Sequence, residues 1–204
     1  MAIFDTMPFS ATHVKKVAAD LALDQALKYL SRDPEQNLPR ILDFAEKIAP
    51  DEGQKKNIRL LRARMVGDEE IMAQIKRLVK NQRMLKNFLS IWVVNAMLLG
   101  GPQRNALMKE LGIHIPSLIL VDPTSACNLR CTGCWAGEYK KTDRLEPELL
   151  DRLFNEAKEL GIYWIVFSGG EPFAYPELLD VVGRHPDMGF MAYTNRTLIT
   201  DQVA

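Results

Sequence analysis

All three cysteines of this 204-residue chain fall within eight residues, as Cys127, Cys131 and Cys134 in a C-x3-C-x2-C spacing. A short apolar run of strand character, Ser117 to Val121, leads directly into them. Thiols this close together can converge on one object, and thiolates are soft ligands that select zinc, copper(I) or iron–sulfur clusters. Structural zinc asks for four ligands, and no fourth cysteine or suitably spaced histidine is present. An iron–sulfur cube also normally takes four cysteines. A cube held here would keep one iron open to another ligand, the arrangement of a reactive rather than a purely structural centre. An odd cysteine count argues against a disulfide framework, and free thiols fit a reducing interior, so a cytoplasmic location is expected.

The cysteine loop opens a repeating pattern. Leu145 to Leu160 carries an apolar stripe at helical spacing, opened by Pro147 and ended by Gly161. Tyr163 to Ser168 reads as a second strand, Glu177 to Gly183 as a short helix and Phe190 to Thr194 as a third strand, with a further helix expected to begin near Thr200. Strands alternating with helices imply a parallel sheet, because each helix makes the crossover. Continuous apolar runs such as Trp164-Ile165-Val166-Phe167 imply strands buried on both faces. Active sites of such sheets lie where strands run out into loops. Three stretches meet at that rim: the cysteine loop, Gly169-Gly170-Glu171-Pro172, and Thr194-Asn195-Arg196.

A C-x3-C-x2-C loop after one strand and a Gly-Gly-Glu-Pro segment after the next resemble the radical S-adenosylmethionine (radical SAM) enzymes, over about residues 115–204. The resemblance implies a 4Fe–4S cluster held by Cys127, Cys131 and Cys134, with S-adenosylmethionine on the open iron. One electron then cleaves the sulfonium to a 5′-deoxyadenosyl radical, which abstracts hydrogen from a substrate that the sequence does not name. It further implies a low-potential electron donor such as a flavodoxin or ferredoxin, and cofactor contacts from Ser168, Gly169, Gly170, Glu171, Pro172, Asn195 and Trp135. No catalytic residue beyond these is assigned. Two positions depart from the family pattern. Arg196 follows Asn195 where a glycine is frequent, and Gly133 stands where an aromatic residue often precedes the third cysteine. The family core has six strand–helix units, and three are legible here. The expected fold class is therefore α/β, with an all-helical N-terminal region and the first three units of an incomplete parallel β/α barrel. The sequence reads as a truncated frame or fragment of a longer enzyme. The alternative is a truncated, non-catalytic remnant that binds only a cluster or a protein partner.

Residues 1–110 form the expected helical front end and 111–204 the incomplete core. Helical periodicity predicts helices over about 11–30, from near Pro39 to Ile48, through Ile58 to Met65, and from an Asp68 cap through Leu78. Between Lys55 and Lys86 both signs of charge mix, as on a solvated face, and Glu138, Lys140 and Lys141 read as solvated loop residues. The formal net charge is zero, which gives no indication of a nucleic-acid partner. The uncharged run Phe88 to Pro102 is shorter than the roughly 18–20 residues that span a bilayer. It reads as a buried helix stopped by Gly100-Gly101-Pro102, with no transmembrane segment expected. The front end suits a lid or a docking surface for a carrier or partner.

Overall fold

The computed structural model describes residues 9–49, 52–138 and 140–200, with side chains from residue 14 onward. Two compact units result, Met1–Ser90 and Ile91–Ala204.

The first unit is helical: α1 (Phe9–Arg32), α2 (Pro34–Ile48), α3 (Glu52–Met65), α4 (Glu69–Leu78) and α5 (Gln82–Leu89). Its boundaries follow from capping chemistry. Asp33 accepts from the Gln36 amide at 3.1 Å, Asp68 from Ile71 at 2.9 Å and Asn81 from Met84 at 3.2 Å. Each satisfies a first-turn amide that the helix itself leaves unpaired. The second helix begins at Pro34, not near Pro39, because Asp33 caps it and Pro34 takes the first position, where no donor is needed. Pro39 is carried inside the helix. Leu30, Leu38, Leu42, Met72, Ile75 and Val79 form the core of this unit. Ion pairs such as Lys76–Glu35 and Arg59–Glu46 lie on its exposed faces, where each is worth about 0–1 kcal/mol.

Ser90–Leu99 is π-helical and leads into α6 (Gly100–Leu111). The expected stop at Gly100-Gly101-Pro102 does not occur. Gly100 is required for contact instead: a Cβ there would collide with the Gly161 carbonyl. Pro102 is carried inside the continuous helical run, just past its π-helical turns. The helix ends at Gly112, with φ 66°, whose amide donates to the Met108 carbonyl at 3.1 Å. The helical run Gln82–Leu111 is long and apolar enough, by length and composition alone, to cross a bilayer. Core helices of water-soluble proteins meet the same criterion. The expectation of a buried helix needs correcting, since only 22% of its most apolar window is buried. Val94, Asn95 and Ala96 are buried while Trp92, Met97 and Leu98 are exposed, because a helix docked along one stripe covers only that stripe.

The second unit continues as β1 (Ile119–Val121), α7 (Pro147–Glu159), β2 (Trp164–Phe167), α8 (Leu178–Gly183) and β3 (Gly189–Ala192). The strands are parallel in the order β1-β2-β3, with Ile119 opposite Ile165 and Ile165 opposite Phe190. They are shorter than expected at their ends, and the helix expected near Thr200 falls on residues 201–204, outside those described. Ile119, Val121, Ile165, Phe167, Phe190 and Ala192 pack with Leu150, Phe154 and Ala157 of α7 and with Leu178 and Val181 of α8. The central strand is buried on both faces as expected, with Ile165, Val166 and Phe167 all buried, but the outer strands are open on the other face, where Leu120 is 54% exposed and Met191 46%. Both crossovers lie on one side, and three strands do not close a barrel over the other.

The α6 helix belongs to this core. Leu107 and Met108 pack against it. Gln103 donates to the Glu159 carbonyl at 2.6 Å, and Arg104 donates to the Gly161 carbonyl. These donors satisfy carbonyls at the C-terminal end of α7 and complement its dipole. Phe154 is fully buried and meets the rings of Phe167, Phe190 and His185. Its replacement by alanine should lower stability by about 3–5 kcal/mol, read as a fall in the urea midpoint; a loss under 1 kcal/mol by about the same scale would contradict this packing.

Candidate functional site

The cysteines sit on a loop with a fixed neck. After β1 the chain leaves through Asp122-Pro123-Thr124-Ser125 and returns through residues 143–145. Ser125 N donates to Asp143 O and Leu145 N to Pro123 O, each at 2.9 Å, around an antiparallel bridge between Thr124 and Arg144. Side chains reinforce it: the Thr124 hydroxyl donates to Asp143 O at 3.2 Å and the Ser125 hydroxyl donates to the Lys140 carbonyl. Tyr175 closes the outer side by donating from its hydroxyl to Leu145 O at 2.9 Å. The loop between is therefore anchored at both ends, as a functional loop on a rigid scaffold needs to be.

Within it Cys127 is half-buried, and Cys131 and Cys134 are exposed; all three are free. The Leu129 amide donates to Cys127 Sγ at 3.5 Å, and the Cys134 amide to the Cys131 carbonyl at 3.3 Å. Among the described residues, no three His, Cys, Asp or Glu side chains are already gathered as a metal site. The donor set nevertheless fits a thiolate-held iron–sulfur group: three soft ligands lie within eight residues of a loop whose neck is fixed.

The exit loop of β2 is zipped to the exit of β1. Ser168 N donates to Val121 O at 3.0 Å, Gly170 N to Thr124 O at 3.0 Å and Glu171 N to Ala126 O at 2.8 Å. This explains the paired glycines. Gly169 has φ 96°, and a Cβ on it would lie 2.7 Å from Thr124 O; a Cβ on Gly170 would collide with the Ala126 carbonyl. In the described chain the glycines thus admit the base of the cysteine loop, one residue from Cys127. Pro172 opens a single 3-10 turn, Pro172–Ala174, capped by the Glu171 side chain.

Glu171 is 1% exposed and joins all three strand exits. Its Oε1 accepts from the Thr194 hydroxyl at 2.7 Å and the Phe173 amide at 3.1 Å, and its Oε2 accepts from the Asn195 amide at 2.8 Å. Asn195 in turn donates from Nδ2 to Asn128 Oδ1 at 2.9 Å, beside Cys127, and accepts from the Thr197 amide and hydroxyl at 2.9 and 2.7 Å. Asn128 donates to the Thr197 hydroxyl at 2.7 Å. Cys127, Gly169, Gly170, Glu171 and Asn195 are therefore brought to one rim. Trp135, beside Cys134, is 63% exposed.

Three features of the site escaped sequence reading. Asp122 ends β1 against Gly169; burial raises its carboxyl above the usual carboxylate range, and its Oδ1 finds no hydrogen-bond partner among the described residues. Lys141 is not a solvated loop residue: its ammonium donates to the Cys127 carbonyl at 3.2 Å and the Leu129 carbonyl at 2.9 Å. Arg196 takes φ 65°, a left-handed conformation that glycine adopts without cost. Only the last had a sequence signal, the unusual residue after Asn195.

The model of the Radical SAM superfamily matches residues 121–204. Over 100 residues the chain is 35% identical to a PqqA peptide cyclase of Streptomyces rochei, a match covering 47% of this chain and 26% of the cyclase. Over 85 residues it is 29% identical to a probable GTP 3′,8-cyclase of Methanothermobacter marburgensis, covering 40% and 28%. The chain thus spans about a quarter of the length of these curated relatives. Among solved structures, SuiB of Streptococcus suis bound to precursor peptide SuiA aligns over 50% of this chain and 24% of SuiB, at 21% identity and a TM-score of 0.43.

Two substitutions test the rim. Replacing Glu171 with alanine strands three donors and should cost about 2–4 kcal/mol in urea unfolding; an unchanged midpoint would remove the carboxylate from its central place. Arg196→Gly should raise stability by about 0.5–1 kcal/mol through relief of the left-handed backbone, seen as a higher melting temperature.

Proposed function

We propose that the chain is part of a radical SAM enzyme, a reading supported by the match of the Radical SAM superfamily model to residues 121–204. Cys127, Cys131 and Cys134 are the thiolates that hold its 4Fe–4S cluster, and Ser168 to Pro172 with Asn195 form the wall of the S-adenosylmethionine site. The radical SAM core that carries this function is residues 111–204, preceded by the helical region 1–110, whose α6 helix packs against that core. The observation that carries the reading is the fixed-neck loop of three free thiols lying against the Gly169-Gly170 backbone.

When bound, the cluster supplies the electron that cleaves S-adenosylmethionine to a 5′-deoxyadenosyl radical for hydrogen abstraction from substrate. The residues of this chain bind and orient. The cysteines leave one iron without a protein thiolate. The glycines set the loop of the first strand beside that of the second. Glu171 acts by fixing the loops, because its carboxylate accepts from three donors of the rim itself. Trp135 offers an exposed aromatic surface next to Cys134 for packing over the cofactor. A flavodoxin- or ferredoxin-like donor is the partner this chemistry needs. Exposed free thiols at Cys131 and Cys134 favour a reducing compartment, the cytoplasm.

Anaerobic reconstitution with iron and sulfide tests the proposal. Roughly four irons per chain are expected, with an absorbance that S-adenosylmethionine perturbs and 5′-deoxyadenosine formed under a strong reductant. Cys131→Ala should abolish the cluster absorbance. Uptake of zinc with no iron, or an unaltered spectrum in Cys131→Ala, would overturn it.

A further inference from the structure

We propose that Lys141 is a positioning residue that sets a fixed positive charge on the arc carrying Cys127, and so makes the iron–sulfur group easier to reduce. This rests on the proposal that the three cysteines hold a cluster. A lysine on an exposed loop ordinarily keeps its ammonium in water, where the flexible stem costs nothing to leave free. Lys141 does otherwise. It reaches back across the loop, is half-buried, and donates to the Cys127 carbonyl at 3.2 Å and the Leu129 carbonyl at 2.9 Å. Those two carbonyls bracket Asn128, whose side chain is held by Asn195 and Thr197. The arc 127–129 is thus held both by its carbonyls and by the Asn128 side chain, with the Leu129 amide donating to Cys127 Sγ at 3.5 Å.

The electrostatic sign follows. A cluster with thiolate ligands gains negative charge on reduction, and a cation fixed nearby stabilises the more negative state more strongly. Cluster potentials respond to net charge and to hydrogen bonds at sulfur, and a partly buried charge is screened less than an exposed one. Lys140, the neighbouring residue, is exposed, and among the described residues it contributes its backbone carbonyl, to the Ser125 hydroxyl. It carries the same charge one position away and serves as the control.

Wild type, Lys141→Met, Lys140→Met and Lys141→Arg would be reconstituted anaerobically. Iron content and the midpoint of the cluster would be read by redox titration followed by electron paramagnetic resonance. The expected result is a lower midpoint in Lys141→Met, with Lys140→Met and Lys141→Arg at the wild-type value. A loaded Lys141→Met cluster with an unshifted midpoint, or equal shifts in both methionine variants, overturns the proposal. If Lys141→Met retains no iron, Lys141→Arg decides: loading at the wild-type midpoint supports the fixed charge, and failure to load overturns it. Failure of the wild type to take up iron sinks the cluster reading itself, and this inference with it, before any variant is compared.

Discussion

One buried carboxylate organises the rim. Burial of a carboxylate is expensive unless donors meet its oxygens, and at Glu171 three donors do so, from the turn that follows it and from the exit of β3. Its own amide meanwhile holds the Ala126 carbonyl, at the entrance to the cysteine loop. A single residue therefore ties three strand ends that are far apart in sequence. Parallel strands fix only their own register; the loops beyond them would otherwise move independently. With Glu171 in place, the position of Cys127 relative to Gly169, Gly170 and Asn195 becomes a property of the sheet.

The remaining parts of the second unit serve that arrangement. Leu150, Phe154 and Ala157 hold α7 against one sheet face, and Gln103 and Arg104 of α6 satisfy carbonyls at its far end. The neck formed by residues 123–125 and 143–145 hands this rigidity to the loop. The thiols themselves stay ungathered, Cys131 and Cys134 exposed.

Much of this was legible in residue order. The three cysteines, Gly169-Gly170-Glu171-Pro172, the strand–helix alternation and the Asp68 cap each announce themselves through local chemistry. What stayed hidden depends on partners distant in the chain. The hold of Glu171 on Thr194 and Asn195 cannot be read from its place in the Gly-Gly-Glu-Pro segment. Lys141 reads as solvated until the Cys127 and Leu129 carbonyls come within its reach. Gly100 reads as a helix stop, whereas its lack of a side chain is needed against Gly161. The helix start at Pro34 was missed for a local reason, because Pro39 carried the same signal five residues later. That Leu120 and Met191 of the outer strands are open while Val166 between them is buried is not legible, because apolar strands look alike whether one face or both are covered.

The central claim is that three sulfurs of this loop hold a cube and leave one iron open. Mössbauer spectroscopy on chain reconstituted with iron-57, with and without S-adenosylmethionine, addresses it most directly. The account predicts that added S-adenosylmethionine shifts the signal of a single iron of the cube and leaves the others unchanged. A spectrum indifferent to S-adenosylmethionine, or one in which all irons respond alike, would contradict it.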